Sequence, residues 1–269
     1  MDERVPTGRD DVTPPTFDQY RSRYPSVAMI RRDGILQLTL HTGGGSLAWM
    51  AETKGELTNM LADVGRDPDN RAIILTGSGD HFIRPGFAEP PAGTTAGVVH
   101  PQRWGSRNHP EGKKLVMNHL DIQVPMIAAV NGPATIHGEI ALLCDIVIAA
   151  EAAAFQDSQH FRKGIVPGDG AHIVWPMLLG INRARYFLLT GQTISAREAL
   201  ALGLVSEIHP AARLLDRAWE LAQDIAQRPP LTVRLFRETM LQSYKRLVVD
   251  DLGYGLALEG LAAADHWPF

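Results

Sequence analysis

Apolar and polar positions divide the chain into short buried-type runs and longer helical stretches. Residues 27–30 and 35–40 are β-type runs on either side of Asp33-Gly34, which predicts a hairpin. Residues 49–64 read as a helix that stops before Arg66-Asp67-Pro68, and 72–75 as a buried strand closed by Thr76-Gly77-Ser78-Gly79. Residues 78–98 are rich in Gly, Pro, Ala and Thr without periodicity, which predicts a long loop. A helix over 104–120 ends at Gln123-Val124-Pro125. Two apolar strands follow, 126–130 and 146–150, with Asn131-Gly132-Pro133 breaking the chain between them, and Ala154-Phe155 starts another short strand. Helices are expected over 171–179, 183–190 and 195–202, the last two ending at Gly191 and Gly203 as C-caps commonly do. A brief strand spans 205–208. Helix then dominates: 214–227 up to Pro229-Pro230, 231–241, and 246–264. The order predicts an α/β core over 25–209, an N-terminal arm over 1–24 and a C-terminal helical region over 210–269.

Composition narrows the function classes. The chain has 269 residues, 45% hydrophobic and 21% charged, with a formal net charge of −4. That is enough for one large core, with no basic surface to suggest nucleic acid and no basic amphipathic run to suggest a membrane surface. The single cysteine, Cys144, excludes an internal disulfide and fits a reducing, cytoplasmic compartment. It lies in an apolar run and reads as a small core residue. No apolar stretch reaches the roughly eighteen residues of a membrane span, and 1–15 is polar and proline-rich, a loose arm with no targeting signal.

Candidate chemistry concentrates between Met126 and Asp169. His160 follows the irregular Asp157-Ser158-Gln159, and a neutral imidazole there could take a proton from water near pH 7 once another group fixes its tautomer. Asp169, nine residues on, could be that group, although Asp before Gly-Ala-His-Ile is equally a good helix N-cap. His137 could donate to a carbonyl oxygen that gains charge, and Glu139 is either an acid/base or a first-turn glutamate favoured by the helix dipole. Glu259 shares one helical face with Leu252, Leu256 and Ala263, so it is partly buried, faces a pocket, or sits at a helix edge. Trp49 could bond a ligand through its indole N–H or belong to the core, and His172 reads as structural. The spacing of His137 and His160 matches no common metal motif. Gly77-Ser78-Gly79 lacks the rest of a phosphate loop, and no GxSxG elbow is present.

Several segments carry a resemblance: Ala128-Ala129-Val130-Asn131-Gly132-Pro133-Ala134, Cys144-Asp145-Ile146-Val147-Ile148-Ala149, Gly164-Ile165-Val166-Pro167-Gly168, Leu189-Thr190-Gly191 and Gly203-Leu204-Val205. In order and spacing they resemble the crotonase (enoyl-CoA hydratase/isomerase) superfamily over about residues 25–265. The resemblance implies a crotonase-like spiral of ββα repeats, with a helical C-terminal region that forms trimers, often paired into hexamers. Three departures accompany it. The glycine run after Asn131-Gly132, whose backbone helps form a thioester oxyanion hole, is replaced by Thr135-Ile136-His137-Gly138. Of the paired hydratase glutamates, Glu139 is retained and the other becomes His160. The second oxyanion segment is here Ile83-Arg84-Pro85-Gly86-Phe87.

This altered pattern is similar to the β-diketone hydrolase branch, that of 6-oxocamphor hydrolase, through Ser46-Leu47-Ala48-Trp49, His137-Gly138-Glu139-Ile140, Phe155-Gln156-Asp157, His160-Phe161, residues 164–172 and 185–191, and Glu259. That branch usually has His-Pro-Glu at 137–139, and a histidine in the first long helix where this chain has Lys54. The resemblance implies hydrolytic C–C cleavage of a cyclic or bicyclic β-diketone to a keto acid, a retro-Claisen reaction. His160, oriented by Asp169, activates water; His137, with Trp49, holds the carbonyl that becomes the enolate. Glu259 supports the site by orienting His137 or by carrying protons, and Glu139 and Phe87 line the substrate. No CoA, metal or other cofactor is expected, and the partners are a small-molecule diketone and further copies of the chain. The rivals are a CoA-thioester hydratase or hydrolase of the same fold, and a catalytically silent trimeric binding protein.

Overall fold

In the computed structural model, residues 14–86 and 100–265 are described. The described part of the arm holds a helical turn, α1 (Phe17–Tyr20), followed by the hairpin β1 (Val27–Arg32) and β2 (Ile35–Leu40). Its turn residues Asp33 and Gly34 have φ of 51° and 78°, the left-handed pair that a tight hairpin with the right twist needs. Then come β3 (Leu47–Trp49), α2 (Ala51–Arg66), β4 (Ala72–Gly77) and β5 (Ile83–Pro85). After the undescribed stretch, α3 (Pro101–Arg103) runs through a π-turn, Trp104–Asn108, into α4 (His109–Asp121). β6 (Met126–Val130), α5 (Glu139–Leu142), β7 (Ile146–Ala150) and β8 (Ala154–Phe155) follow, then α6 (Ala171–Leu179), α7 (Ile181–Thr190), β9 (Ile194–Ser195), α8 (Ala196–Ala201), β10 (Glu207–His209), α9 (Ala211–Ala226) and α10 (Pro230–Asp265).

The main sheet has six strands in the order β1-β2-β4-β6-β7-β10, parallel except for the first hairpin. A second layer of short strands stands against it: β3 pairs with β5, β8 with β9, and Ala134 bridges Ile83 to Phe155. β6, with the sequence Met-Ile-Ala-Ala-Val, shows why the innermost strands here are apolar throughout, because both of its faces are covered. Leu36, Leu38 and Leu40 face the large core with Leu47, Ile83 and Phe155. Ile35 faces a smaller cluster in which Leu214, Ala218 and Ala222 of α9 lie on Ile74, Ile127 and Ile148.

Four local expectations change. Trp49 ends a strand that pairs with β5, and the helix begins two residues later. A three-residue strand has too few positions to show alternation, so both β3 and the strand inside the expected 78–98 loop were invisible as patterns. The two expected C-terminal helices are one, because Gln242-Ser243-Tyr244-Lys245 contains no breaker. The arm is anchored from Phe17 onward: Tyr20 and Tyr24 are buried, with hydroxyls donating to Asp67 (2.7 Å) and Asp63 (2.5 Å). Among the described residues no helix is long and apolar enough to cross a membrane.

Candidate active site

The candidate side chains arrive from separate elements at one end of the parallel strands, where open α/β sheets commonly place their chemistry. Trp49 ends β3, and Lys54 lies one turn into α2. His137 and Glu139 stand where the chain leaves β6 and enters α5. His160 closes the loop after β8, Asp169 precedes α6, and Glu259 lies in α10. Phe87 falls outside the described residues.

Backbone ties set the histidines. The His160 loop is held against the chain after β6, because Ser158 N–H and Oγ both donate to Thr135 O, at 3.1 and 2.7 Å. Within that loop Asp157 accepts from the backbone N–H of Gln159 and His160 and also lies 2.9 Å from His160 Nδ1. His137 has φ of 50°, the left-handed region that a side-chain-bearing residue rarely occupies. Its ring lies against Trp49, centroids 3.9 Å apart, and Nδ1 is 2.8 Å from Glu139 Oε1.

Asp169 joins the two histidines. Its Oδ2 is 3.4 Å from His137 Nδ1 and 3.4 Å from His160 Nε2, while Glu259 Oε1 is 4.0 Å from the same Nε2. Asp169 is not the cap of α6: Gly170 holds that position and no side chain caps the helix. The group on His160 Nδ1 is Asp157, which the sequence reading passed over; an aspartate three residues before a histidine in an irregular stretch was the available signal. Likewise the residue bonded to His137 is Glu139, whereas Glu259 sits beside His160.

Charge corrects a further expectation. Burial by itself would lower the pKa of His160, but the carboxylates of Asp169 and Asp157 outweigh it and hold the imidazole well above its ordinary value. The two carboxylates thus favour the protonated ring over the neutral imidazole expected from sequence. Asp169 is pushed well below the usual carboxylate range: burial opposes this, but the charges of His160, His137 and Lys54 prevail. Glu259 moves the other way, up to about 8, through burial and the nearby charge of Asp169.

Two trios, His137–Glu139–Asp169 and His160–Asp169–Glu259, each bring ligand atoms within 4.8 Å of one another. Metal binding needs neutral imidazoles, whereas here a proton on His160 is favoured and each histidine already faces a carboxylate at hydrogen-bond distance. The donor set suits proton chemistry better than a dication. Beside it, Lys54, Leu61, Leu115, Val116, His137 and Asp169 line a cavity of about 10 Å³, room for one water molecule.

A model of the family described as enoyl-CoA hydratase/isomerase matches residues 31–252. The chain is similar to a solved β-diketone hydrolase from the cyanobacterium Anabaena, bound to (S)-3-oxocyclohexyl acetic acid, with 42% identity and a TM-score of 0.86, covering 92% of this chain and 97% of that one. A Geobacillus kaustophilus enoyl-CoA hydratase structure has 29% identity and a TM-score of 0.71, covering 88% of each chain. Carnitinyl-CoA dehydratase of Citrobacter koseri is 31% identical over 244 residues, 90% of this chain and 89% of the relative.

Proposed function

The chain belongs to the enoyl-CoA hydratase/isomerase family, in the crotonase superfamily, and we propose that within it this protein hydrolyses a C–C bond of a cyclic or bicyclic β-diketone, giving a keto acid. The observation that carries the reading is the bracketed imidazole of His160, with Asp157 on Nδ1 and Asp169 on Nε2, where hydratases of the family place a second glutamate. The 42% likeness to a β-diketone hydrolase supports the same assignment.

In this mechanism a water molecule near Asp169 gives its proton to His160 in its deprotonated form, and its oxygen attacks one ring carbonyl. The oxyanion collapses, the C–C bond breaks, and the electron pair becomes an enolate on the second carbonyl. His137, seated on Trp49 and faced at Nδ1 by Glu139 and Asp169, donates from Nε2 to that enolate oxygen. A donor fixed in a dry pocket lowers such a barrier by roughly 3 kcal/mol. Glu259, protonated below about 8, relays a proton beside His160. No step uses CoA, and the reading includes assembly into a trimer in the cytoplasm, supported by exposed Leu235, Phe236, Met240 and Leu261 on α10.

CoA-thioester chemistry is the second reading, favoured by the carnitinyl-CoA dehydratase relatives. One experiment separates the two: a panel of cyclic β-diketones followed by loss of diketone absorbance, with crotonyl-CoA offered in parallel. Diketone cleavage that His160→Ala abolishes through kcat supports the hydrolase. Thioester turnover without diketone cleavage overturns it.

A further inference from the structure

The lysine of the site has no carboxylate of its own. Lys54 reaches the cavity from α2 beside His137, Glu139 and Asp169, yet among the described residues it forms no ion pair. Four carboxylates stand nearby with other commitments. Asp157 holds His160, Glu139 holds His137, Asp169 is shared between both rings, and Glu259 stays protonated to about 8. Lys54 acts on Asp169 and Glu259 only through space, lowering the pKa of each. Gly112 on α4 makes the room: a Cβ there would stand 3.3 Å from Nζ and 2.9 Å from Leu256 Cδ2. A half-buried ammonium kept from its neighbours pays for desolvation without an anion in return, so a bound anion is its natural counterpart.

We infer that Lys54 is the anion subsite of the pocket, holding the oxygen of the attacked carbonyl first as an alkoxide and then as the carboxylate of the keto acid. This rests on the diketone reading and deepens it, since His137 serves the other carbonyl. The water oxygen bonds to the carbonyl carbon, one water proton passes to His160, and the C=O pair moves onto the oxygen facing Lys54. When that pair returns, the C–C bond breaks, its electrons enter the enolate, and the proton from His160 completes the new C–H bond. The second water proton leaves to solvent, and the carboxylate remains against Nζ.

Lys54→Met keeps the apolar stem and removes the charge, whereas Lys54→Arg keeps the charge. Titration calorimetry with 3-oxocyclohexyl acetic acid, and with the corresponding neutral keto alcohol, reads binding without turnover. Expected is at least roughly tenfold weaker binding of the acid by Lys54→Met, unchanged binding of the alcohol, and recovery of acid binding in Lys54→Arg. On a diketone, kcat of Lys54→Met should fall about thirtyfold or more while KM moves little. Acid binding by Lys54→Met as tight as by the parent, or no binding by the parent, overturns the subsite. If the parent binds the acid through Lys54 yet cleaves no diketone, the subsite stands and the hydrolase reading fails. If the parent cleaves diketones and Lys54→Met matches it in binding and rate, the reverse holds.

Discussion

At the scale of the residue, His160 is defined by what faces its two nitrogens. Asp157 and Asp169 favour the imidazolium, so the base form appears only as pH rises through a pKa well above the ordinary histidine value. kcat/KM should therefore climb on the alkaline side of neutrality. Asp157→Asn removes one of the charges that raises this pKa, so the ascending limb should move to lower pH, with kcat reduced roughly tenfold to hundredfold as the ring loses its anchor. A pH–rate profile of the variant superimposable on the parent's would sink this assignment. His137 gives a second handle, because its φ of 50° suits glycine. His137→Gly should unfold at higher denaturant than His137→Ala, by about 1 kcal/mol, while both lose the donor and most of kcat.

At the scale of the element, α10 serves the site by close approach. A Cβ on Gly168 would collide with Gly255 O, and one on Gly255 with the His172 ring, so the turn before Asp169 lies backbone to backbone on the helix that carries Glu259. Gly255→Ala should cost about 1–3 kcal/mol through this forced contact and lower kcat by displacing Glu259 from His160. Glu259 itself makes folding proton-dependent. Its pKa is about 8 in the folded protein against an ordinary 4.5, so between those values the folded state holds a proton that the unfolded state has lost. Its contribution to stability thus falls as pH rises through that window. Thermal scans of Glu259→Gln should show a Tm advantage that is small near pH 4.5 and grows toward pH 8; a difference independent of pH would refute the buried, protonated glutamate.

At the scale of the whole molecule, the C-terminal helix is latched to the sheet by Arg237, which is 1% exposed. Its Nε donates to Asp145 Oδ2 at 2.7 Å, and its Nη1 donates to Ile122 O and Leu120 O. Asp145 also accepts from the backbone of Met126, so one carboxylate joins β6, the chain entering β7, and α10. Arg237 is the buried member of this pair, and Arg237→Met leaves the Leu120 and Ile122 carbonyls without their donor, so it should lower unfolding free energy by about 1–3 kcal/mol in urea titration. Because α10 also carries Glu259, the same variant should lose activity at temperatures where it remains folded.

The apolar runs by themselves determined the inner strands of the main sheet, since strands buried on both faces must be apolar at nearly every position, as in 126–130 and 146–150. Periodicity and breakers likewise placed α2, α6 and α9 to within a few residues. The order of motifs from Asn131-Gly132-Pro133 to Gly203-Leu204-Val205 pointed to the family, and His137, Glu139, His160, Asp169 and Glu259 were legible as candidates because polar groups are conspicuous among apolar runs. Which carboxylate faces which nitrogen was not legible. Asp157 and Asp169 lie three and nine residues from His160, and only the return of the chain through Gly168, against α10, sets Asp169 on Nε2 and leaves Nδ1 to Asp157. The charge states followed from that arrangement. Burial and the sum of neighbouring charges depend on distances across the fold, and those distances arise only when α2, α4 and α10 close on the ends of the strands.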